Sequence, residues 1–400
     1  MSSPNLLALA LVLGAAGVVA GPVSAAEFDS NHRFVATYGD GILEIDESGN
    51  IVDTYAVPLA SDVAFGLYGQ MYVATGGGQL VIVDADHNVL STTTIPGDFF
   101  NGLEIGPGGD VYVTDSVGDE IEVFDGGGNW LRTISSVELN DPVELTFDAN
   151  GHLFVSSHGN ARVVEIDPAG QTLGTIAMFG PAGLAFGPDG YLYVAARQEL
   201  RIKVIHPQTR AVESEVEATD PWGLAFTADG RVMVADLTNG AVEIFDRAGP
   251  SLYYNSTIAL TAASSALGID CSPQRFRVKV TGRYVSPTFK SKIAEKATLS
   301  YFPGSGRAML ETGVNTLLGA HFTGFGQDTG FSSSAKRHTL NAFEVYAHPS
   351  FDGVTTMVID APGKLDGNYM FRAEKVHGTF QRSLRGVVRN CKFKTKKKLN

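Results

Sequence analysis

Asp62, Glu104 and Glu144 are the residues of this sequence whose type and spacing come nearest to metal chemistry. They follow one another at steps of 42 and 40 residues, in or beside short apolar stretches that elsewhere carry Gly or Ala. Hard carboxylate oxygens gathered at one axis suit Ca2+, which is the only cofactor the residues suggest and none is required. The plainer expectation is that the three stand at a solvated rim, since an unpaired carboxylate is costly to bury.

A second group mixes rings with charges: Tyr38, Phe99, Phe100, Asp115, His158, Arg197, Trp222 and Asp236, all in or next to loops. Rings supply contact area at low entropic cost and polar groups fix orientation, so this is the composition of a ligand-binding face. Taken singly, Asp115 and Asp236 are better explained as turn caps, and Trp222 can be read as a blade-packing residue. Catalytic signatures are absent: there is no nucleophile elbow, phosphate-binding loop, zinc-spaced Cys/His set or dinucleotide fingerprint.

What positions these groups is a repeat. Gly183 to Ala195 reads GLAFGPDGYLYVA, an apolar run, a turn at Asp189-Gly190 and a second apolar run, which predicts a hairpin with a two-residue turn. First-strand anchors recur at Phe65, Ile105, Phe147, Phe186 and Phe226, with spacings of 40, 42, 39 and 40 residues. A period near 40 predicts an array of four-stranded modules. The second strand occurs six times, from Phe34-Val35-Ala36 to Met233-Val234-Ala235, so one module lacks a first strand of its own. Ala266 to Asp270 resembles the missing strand and is expected to complete the N-terminal module, closing a ring and removing an exposed edge. Antiparallel meanders then gather the second loop of every module and the connections between modules at one end, where the ring-and-charge group falls.

Residues 1–25 read as a secretory signal, with an apolar core from Leu6 to Ala20, although no Lys or Arg precedes it. The expectation is a secreted or periplasmic protein without a membrane-spanning segment. Charge divides the rest. Up to Cys271 there are 35 Asp and Glu against 9 Lys and Arg, a net of −26; from Ser272 onward there are 8 against 21, a net of +13, together giving the overall −13. The acidic half argues against nucleic acid as its ligand. The basic half could dock on the acidic one or on an anionic envelope surface.

Residues 31–271 resemble the NHL-repeat six-bladed β-propellers. Pro221-Trp222-Gly223-Leu224-Ala225-Phe226, Asp229-Gly230, Val234-Ala235-Asp236 and Val242-Glu243-Ile244-Phe245-Asp246 carry the resemblance. It implies an all-β six-bladed propeller and leaves function open. Six-bladed lactonases similar to gluconolactonase hold a divalent metal with a Glu/Asn/Asp set, and no motif here matches that set.

Residues 272–400 continue with strand signals, such as Phe276-Arg277-Val278-Lys279-Val280, and read as a small antiparallel β-sandwich. Cys271 and Cys391, the only cysteines, bracket this half, and in an exported chain they are expected to form a disulfide. Closing that loop would be worth about 4 to 5 kcal/mol in the chain-entropy picture. The functional expectation is a non-catalytic binding or scaffold protein recognising a protein, glycan or envelope ligand on the loop face. The alternative is a metal-dependent lactonase or lyase acting at the mouth of the central channel.

Overall fold

The computed structural model describes residues 28–272 with side chains, apart from positions 30, 67, 68, 96, 97, 107, 108, 149, 168, 188, 228, 229 and 261–264; beyond 273 it describes the backbone of the strands alone. The signal-like residues 1–25 lie outside the described residues. Among the described residues no helix is long and apolar enough to cross a membrane.

Six four-stranded antiparallel sheets form the propeller. The first blade contains β1 (Arg33–Thr37), β2 (Gly41–Ile45) and β3 (Ile51–Tyr55). The second has β4 (Ala60–Phe65), β5 (Met71–Thr75), β6 (Gln79–Val83) and β7 (Val89–Thr94); the third has β8 (Phe100–Ile105), β9 (Val111–Asp115), β10 (Glu120–Phe124) and β11 (Trp130–Ser135). The fourth is β12 (Pro142–Phe147), β13 (Leu153–Ser157), β14 (Arg162–Ile166) and β15 (Thr172–Ala177). The fifth is β16 (Pro181–Phe186), β17 (Leu192–Ala196), β18 (Arg201–Ile205) and β19 (Val212–Glu217). The sixth is β20 (Pro221–Phe226), β21 (Val232–Asp236), β22 (Ala241–Ala248) and β23 (Ser251–Ala259).

The ring closes as the strand count requires. β24 (Ala266–Cys271) pairs antiparallel with β1, Val35 facing Ile269 and Phe34 facing Asp270, so the last propeller strand completes the first blade. Both ends of the ring are thus held in one sheet.

The blade hairpins differ from expectation in one respect. Gly187 N–H donates to the Tyr191 carbonyl and Gly190 N–H to the Gly187 carbonyl, and Gly190 alone of the Asp-Gly pair has positive φ, 81°. This is a three-residue loop with glycine at the left-handed position, in place of a two-residue turn. At the same end, the turns after the third strands are closed by side chains: Asp125 Oδ1, for one, accepts the N–H groups of Gly127 and Asn129.

Neighbouring blades meet through rings in edge-to-face contact. Tyr112 packs on Phe147, Phe154 on Phe186 and Tyr193 on Phe226, each a second-strand ring against the next blade's first strand. At the centre the inner strands come too close for side chains. A Cβ on Gly183 would lie 2.2 Å from the Trp222 carbonyl oxygen, and one on Gly223 would lie 2.1 Å from that of Leu267.

A second unit follows. β25 (Gln274–Val285), β26 (Lys290–Phe302), β27 (Arg307–Thr312), β28 (Phe322–Ser332), β29 (Arg337–Val345), β30 (Val354–Asp360), β31 (His377–Leu384) and β32 (Val387–Lys398) pair in sequence and close as one barrel. The expected two-layer sandwich is therefore replaced by a single closed antiparallel sheet, because β25 also pairs with β32. Cys391 occupies a register position opposite Gly282 and Phe380; its side chain is outside the described residues, and with it the expected pairing to Cys271.

Candidate functional site

Two places collect the residues singled out by the sequence: the axis and the loop end. At the axis the six inner strands enclose a narrow cavity of about 50 Å³, lined by Asp62, Glu104, Glu144 and Asp270 together with apolar residues such as Leu184 and Leu224. The carboxylates thus do approach the channel, and a fourth joins them from the closing strand. Counted from the anchors Phe65, Ile105, Phe147 and Ile269, they stand at −3, −1, −3 and +1. All are an odd step from the anchor, hence on one face of their strands.

Two of them settle against glycines of the preceding inner strand. A Cβ on Gly268 would lie 1.9 Å from Asp62 Oδ1, and one on Gly102 would lie 2.5 Å from Glu144 Oε1. Backbone amides supply partners: Leu103 N–H donates to Asp62 Oδ2 at 2.7 Å, Leu145 N–H to Glu144 Oε1 at 2.9 Å, and Cys271 N–H to Asp270 Oδ1 at 2.7 Å. Burial nonetheless pushes the Asp62 carboxyl up to about 8, with the charge of Glu104 adding to it. Burial, then the charge of Asp62, raises Glu144 well above the ordinary range; burial, then the charge of Glu104, does the same for Asp270. Burial in so narrow a space thus favours the protonated forms of Asp62, Glu144 and Asp270.

The fit to a metal is poor. Among the described residues no three His, Cys, Asp or Glu side chains converge on a common point where an ion would sit. Asp62, Glu104 and Glu144 share the channel without forming a cage.

The proton holding has a measurable consequence. An acid whose folded pKa is raised releases its proton more readily when unfolded, so the stability it contributes is lost as pH rises from about 4, the unfolded value, through about 8, the folded value of Asp62. Asp62→Asn combined with Glu144→Gln is expected to raise stability at pH 8 by about 1 to 3 kcal/mol and to change it little at pH 4. Thermal melts of both proteins across that range check it; parallel pH curves would show that the carboxyls are ionised in the fold.

The loop end is built from the second loop of each blade and the connections between blades, as the meander predicts. Its best-defined cluster spans the fourth to sixth blades. Arg197, in the loop after β17, donates from Nε to Asp220 Oδ1 at 2.7 Å and from an Nη to Oδ2 at 3.3 Å. Its guanidinium lies over the Trp222 ring, 4.8 Å from the centroid. Burial pushes the Asp220 carboxyl up, but hydrogen bonds from Arg197 and Thr238, with the Arg197 charge, prevail and hold it below the usual range. His158 Nδ1 lies 3.1 Å from the Pro181 carbonyl, which fixes that nitrogen as the donor, and its ring faces Trp222 at 6.3 Å. The result is a half-exposed shelf of indole, guanidinium and imidazole.

On the opposite side of the same end, Tyr38 and Phe99 stand with ring centroids 6.3 Å apart. Gly76 separates them, and a Cβ there would meet both rings at 3.0 Å. Half-burial raises the Tyr38 hydroxyl pKa.

Three of the expected ligand-binding residues have other roles. Phe100 is fully buried in β8 against Phe124 and belongs to the core, because the strand begins at Phe100. Asp115 is buried and accepts the N–H groups of Phe99, Val117 and Gly118. Asp236 is likewise buried, accepting from the backbone and side-chain nitrogens of Asn239. These two aspartates shape the loops that carry the exposed residues.

The expected set also omits the most exposed apolar residues of this end: Val137 at 99%, Phe179 at 67% and Val117 at 66% exposure, joined by Leu59 and Leu200. Leu59 and Leu200 have positive φ, 58° and 53°, a conformation unfavourable for a bulky L residue. The signal was available, since an apolar residue in a loop is unusual where turns want Gly, Asn or Asp.

A family model, the SMP-30/Gluconolactonase/LRE-like region, matches residues 69–198. The match runs from the first hairpin of the second blade to the loop bearing Arg197 and accords with a six-bladed, NHL-like propeller. Among solved structures, a chain of a nidogen/laminin complex is 18% identical, with 60% of this chain and 97% of that one covered at a TM-score of 0.52. A protein of unknown function from Bacteroides caccae is 16% identical, with coverage of 60% and 97% and a TM-score of 0.50. Virginiamycin B lyase from Staphylococcus aureus is 14% identical, with coverage of 62% and 89% and a TM-score of 0.46. Such likeness speaks to the fold alone. No curated protein matches the chain.

Proposed function

We propose that the protein is an exported, non-catalytic binding module whose loop end recognises a protein or glycan ligand. The observation that carries this reading is that exposed Val117, Val137, Phe179 and Leu200 share one end of the propeller with the Arg197, Trp222 and His158 shelf. Solvent-exposed apolar side chains beside pre-ordered polar groups are the anatomy of an interface, where apolar contact supplies affinity and the polar groups fix register. The strained backbone at Leu59 and Leu200 supports it, since such strain persists where surrounding structure holds a loop ready.

A second reading, a lactonase or lyase working at the channel mouth, draws on the family match over residues 69–198. The channel weighs against it, being lined by carboxyls such as Asp62 and Glu144 whose charged forms burial disfavours and that do not converge on a metal position among the described residues.

The test uses the mature protein as bait against its own cell envelope. Phe179→Ser, Val137→Ser and Trp222→Ala together are expected to lower retention of captured material at least tenfold while the melting temperature moves by less than about 5 °C, because two of the three side chains are exposed. Undiminished capture would refute the loop-end reading. Hydrolysis of lactones by the unaltered protein would favour the second one.

A further inference from the structure

The barrel's strand register places its positive charges in a way the sequence alone leaves open. Along β25, Arg275, Arg277, Lys279 and Arg283 fall at alternate positions and so share one face of the sheet. In the ladder to β26, Lys279 stands opposite Lys296, Arg283 opposite Lys292, and Val285 opposite Lys290. In the ladder to β32, Arg277 stands opposite Lys397, Lys279 opposite Lys394, and Thr281 opposite Lys392. Directly opposed residues in an antiparallel pair share a face, so four cations of β25, three of β26 and three of β32 lie on the same one.

The other positions of that face in these rows of the three strands are Ser300, Thr298, Ala294, Thr281 and Val285, none acidic; on the neighbouring β27, Glu311 stands opposite Thr298 on the same face, one acid beside ten cations. The opposite face carries Phe276, Val278 and Val280, facing Leu299, Ala297 and Glu295. Lys279, Lys296 and Lys394 form a row of three across adjacent strands. Like charges directly opposite one another destabilise a sheet unless something neutralises them. A face that keeps such a row asks for an anionic counterpart.

We propose that the β32–β25–β26 face of the barrel binds an anionic lipid surface. The arrangement favours a surface over a strand of polyanion. The cations spread in two dimensions, three strands across and from Arg275 to Val285 along β25, with at least one in every row. A linear polymer would be served by one file of charges. Within those rows the face also has no aromatic residue of the kind that stacks on bases. Anionic headgroups attract Lys and Arg cumulatively, and the attraction is lost within a Debye length as salt rises. The inference does not rest on the loop-end reading, which concerns the other unit.

The experiment is co-sedimentation of the full chain with vesicles of phosphatidylglycerol mixed into phosphatidylcholine, against vesicles of phosphatidylcholine alone. Binding to the mixed vesicles only, falling steeply between low and physiological salt, is expected. Lys279→Gln, Lys296→Gln and Lys394→Gln together should weaken it about 100-fold. The same three positions changed to Arg should retain it. Arg382→Gln with Arg389→Gln, a facing pair on the sheet's other face, should change it less than about twofold. Equal binding to both vesicles, indifference to salt, or equal losses from the two sets of Gln variants would overturn the proposal. So would binding to a soluble sulfated polysaccharide with none to vesicles, which would mark the face as a polyanion site. If the triple Gln variant does not fold, the salt dependence of the unaltered chain and the single Lys279→Gln variant decide. Capture by the loop end should be the same in all of these proteins, so the two readings fail separately.

Discussion

A chain ending at Ser265 is expected to show no cooperative unfolding transition, whereas one ending at Ser272 melts as a ring. The seven residues between carry β24, whose ladder to β1 pairs Arg33 with Cys271, Phe34 with Asp270 and Val35 with Ile269. Without it the first blade has three strands and an open edge, and the buried residues Leu267 and Ile269 lose their place between the first, second and sixth blades. Each buried aliphatic side chain of this size contributes about 1.5 to 3 kcal/mol, against a total domain stability of about 5 to 15 kcal/mol. Adding the loss of a whole ladder leaves too little to hold six sheets in a circle, and the exposed edge invites association between copies. Calorimetry with light scattering on the two truncations reads the outcome; a sharp transition in the shorter chain would mean that the ring needs no closing strand.

The second large effect is expected from one methyl group. Gly223→Ala should destabilise the protein by about 3 kcal/mol, because the new Cβ would come within 2.1 Å of a backbone oxygen, that of Leu267, and 3.1 Å of Gly268 Cα. Neither is the free end of a flexible side chain, so relief requires the inner strands β20 and β24 to separate, and with them the seam of the ring. Gly190→Ala is the comparison. Nothing lies within 4 Å of a Cβ there, and the cost is that of a positive φ of 81°, about 1 kcal/mol. Urea unfolding of the two variants separates crowding from strain; equal losses would show that the centre of the ring yields more easily than its backbone contacts suggest.

The ring was legible because every blade uses the same local chemistry: a first-strand anchor such as Phe186, a hairpin glycine such as Gly190, and a second-strand ring such as Tyr193 that packs on the next blade at Phe226. Repetition made the missing first strand visible, and so the role of Ala266 to Cys271. Asp62, Glu104 and Glu144 were legible as residues in or beside inner strands, but the cost of burying an unpaired carboxylate pointed to a solvated rim, whereas the structure places them along the channel with Asp62 and Glu144 buried. Asp270 was not legible among them, although its odd step from Ile269 obeys the same alternation, because the strand that carries it comes from beyond the last repeat.

The loop end was harder. Phe100 reads as a loop residue until β8 is seen to start at that position, which moves the ring into the core beside Phe124. Val137 and Phe179 carry no motif, and only the folded connections reveal how much of them meets water. The barrel was hidden for a different reason. Its closure is a pairing between positions such as Phe276 and Lys398, and alternation within a strand says nothing about which distant strand lies beside it.

The closing strand also sets how the protein bears load. β24 ends at Cys271 and β25 begins at Gln274, so a pull exerted through residues 274–398 reaches the propeller at the end of β24, and one directed along that strand loads its whole length. Its ladder with β1 then resists in shear, many hydrogen bonds at a time, instead of opening one by one as at a hairpin end. A barrel held on a surface while the propeller grips a partner would put tension on the strongest direction of the joint, and the tether would hold where a peripheral strand would peel.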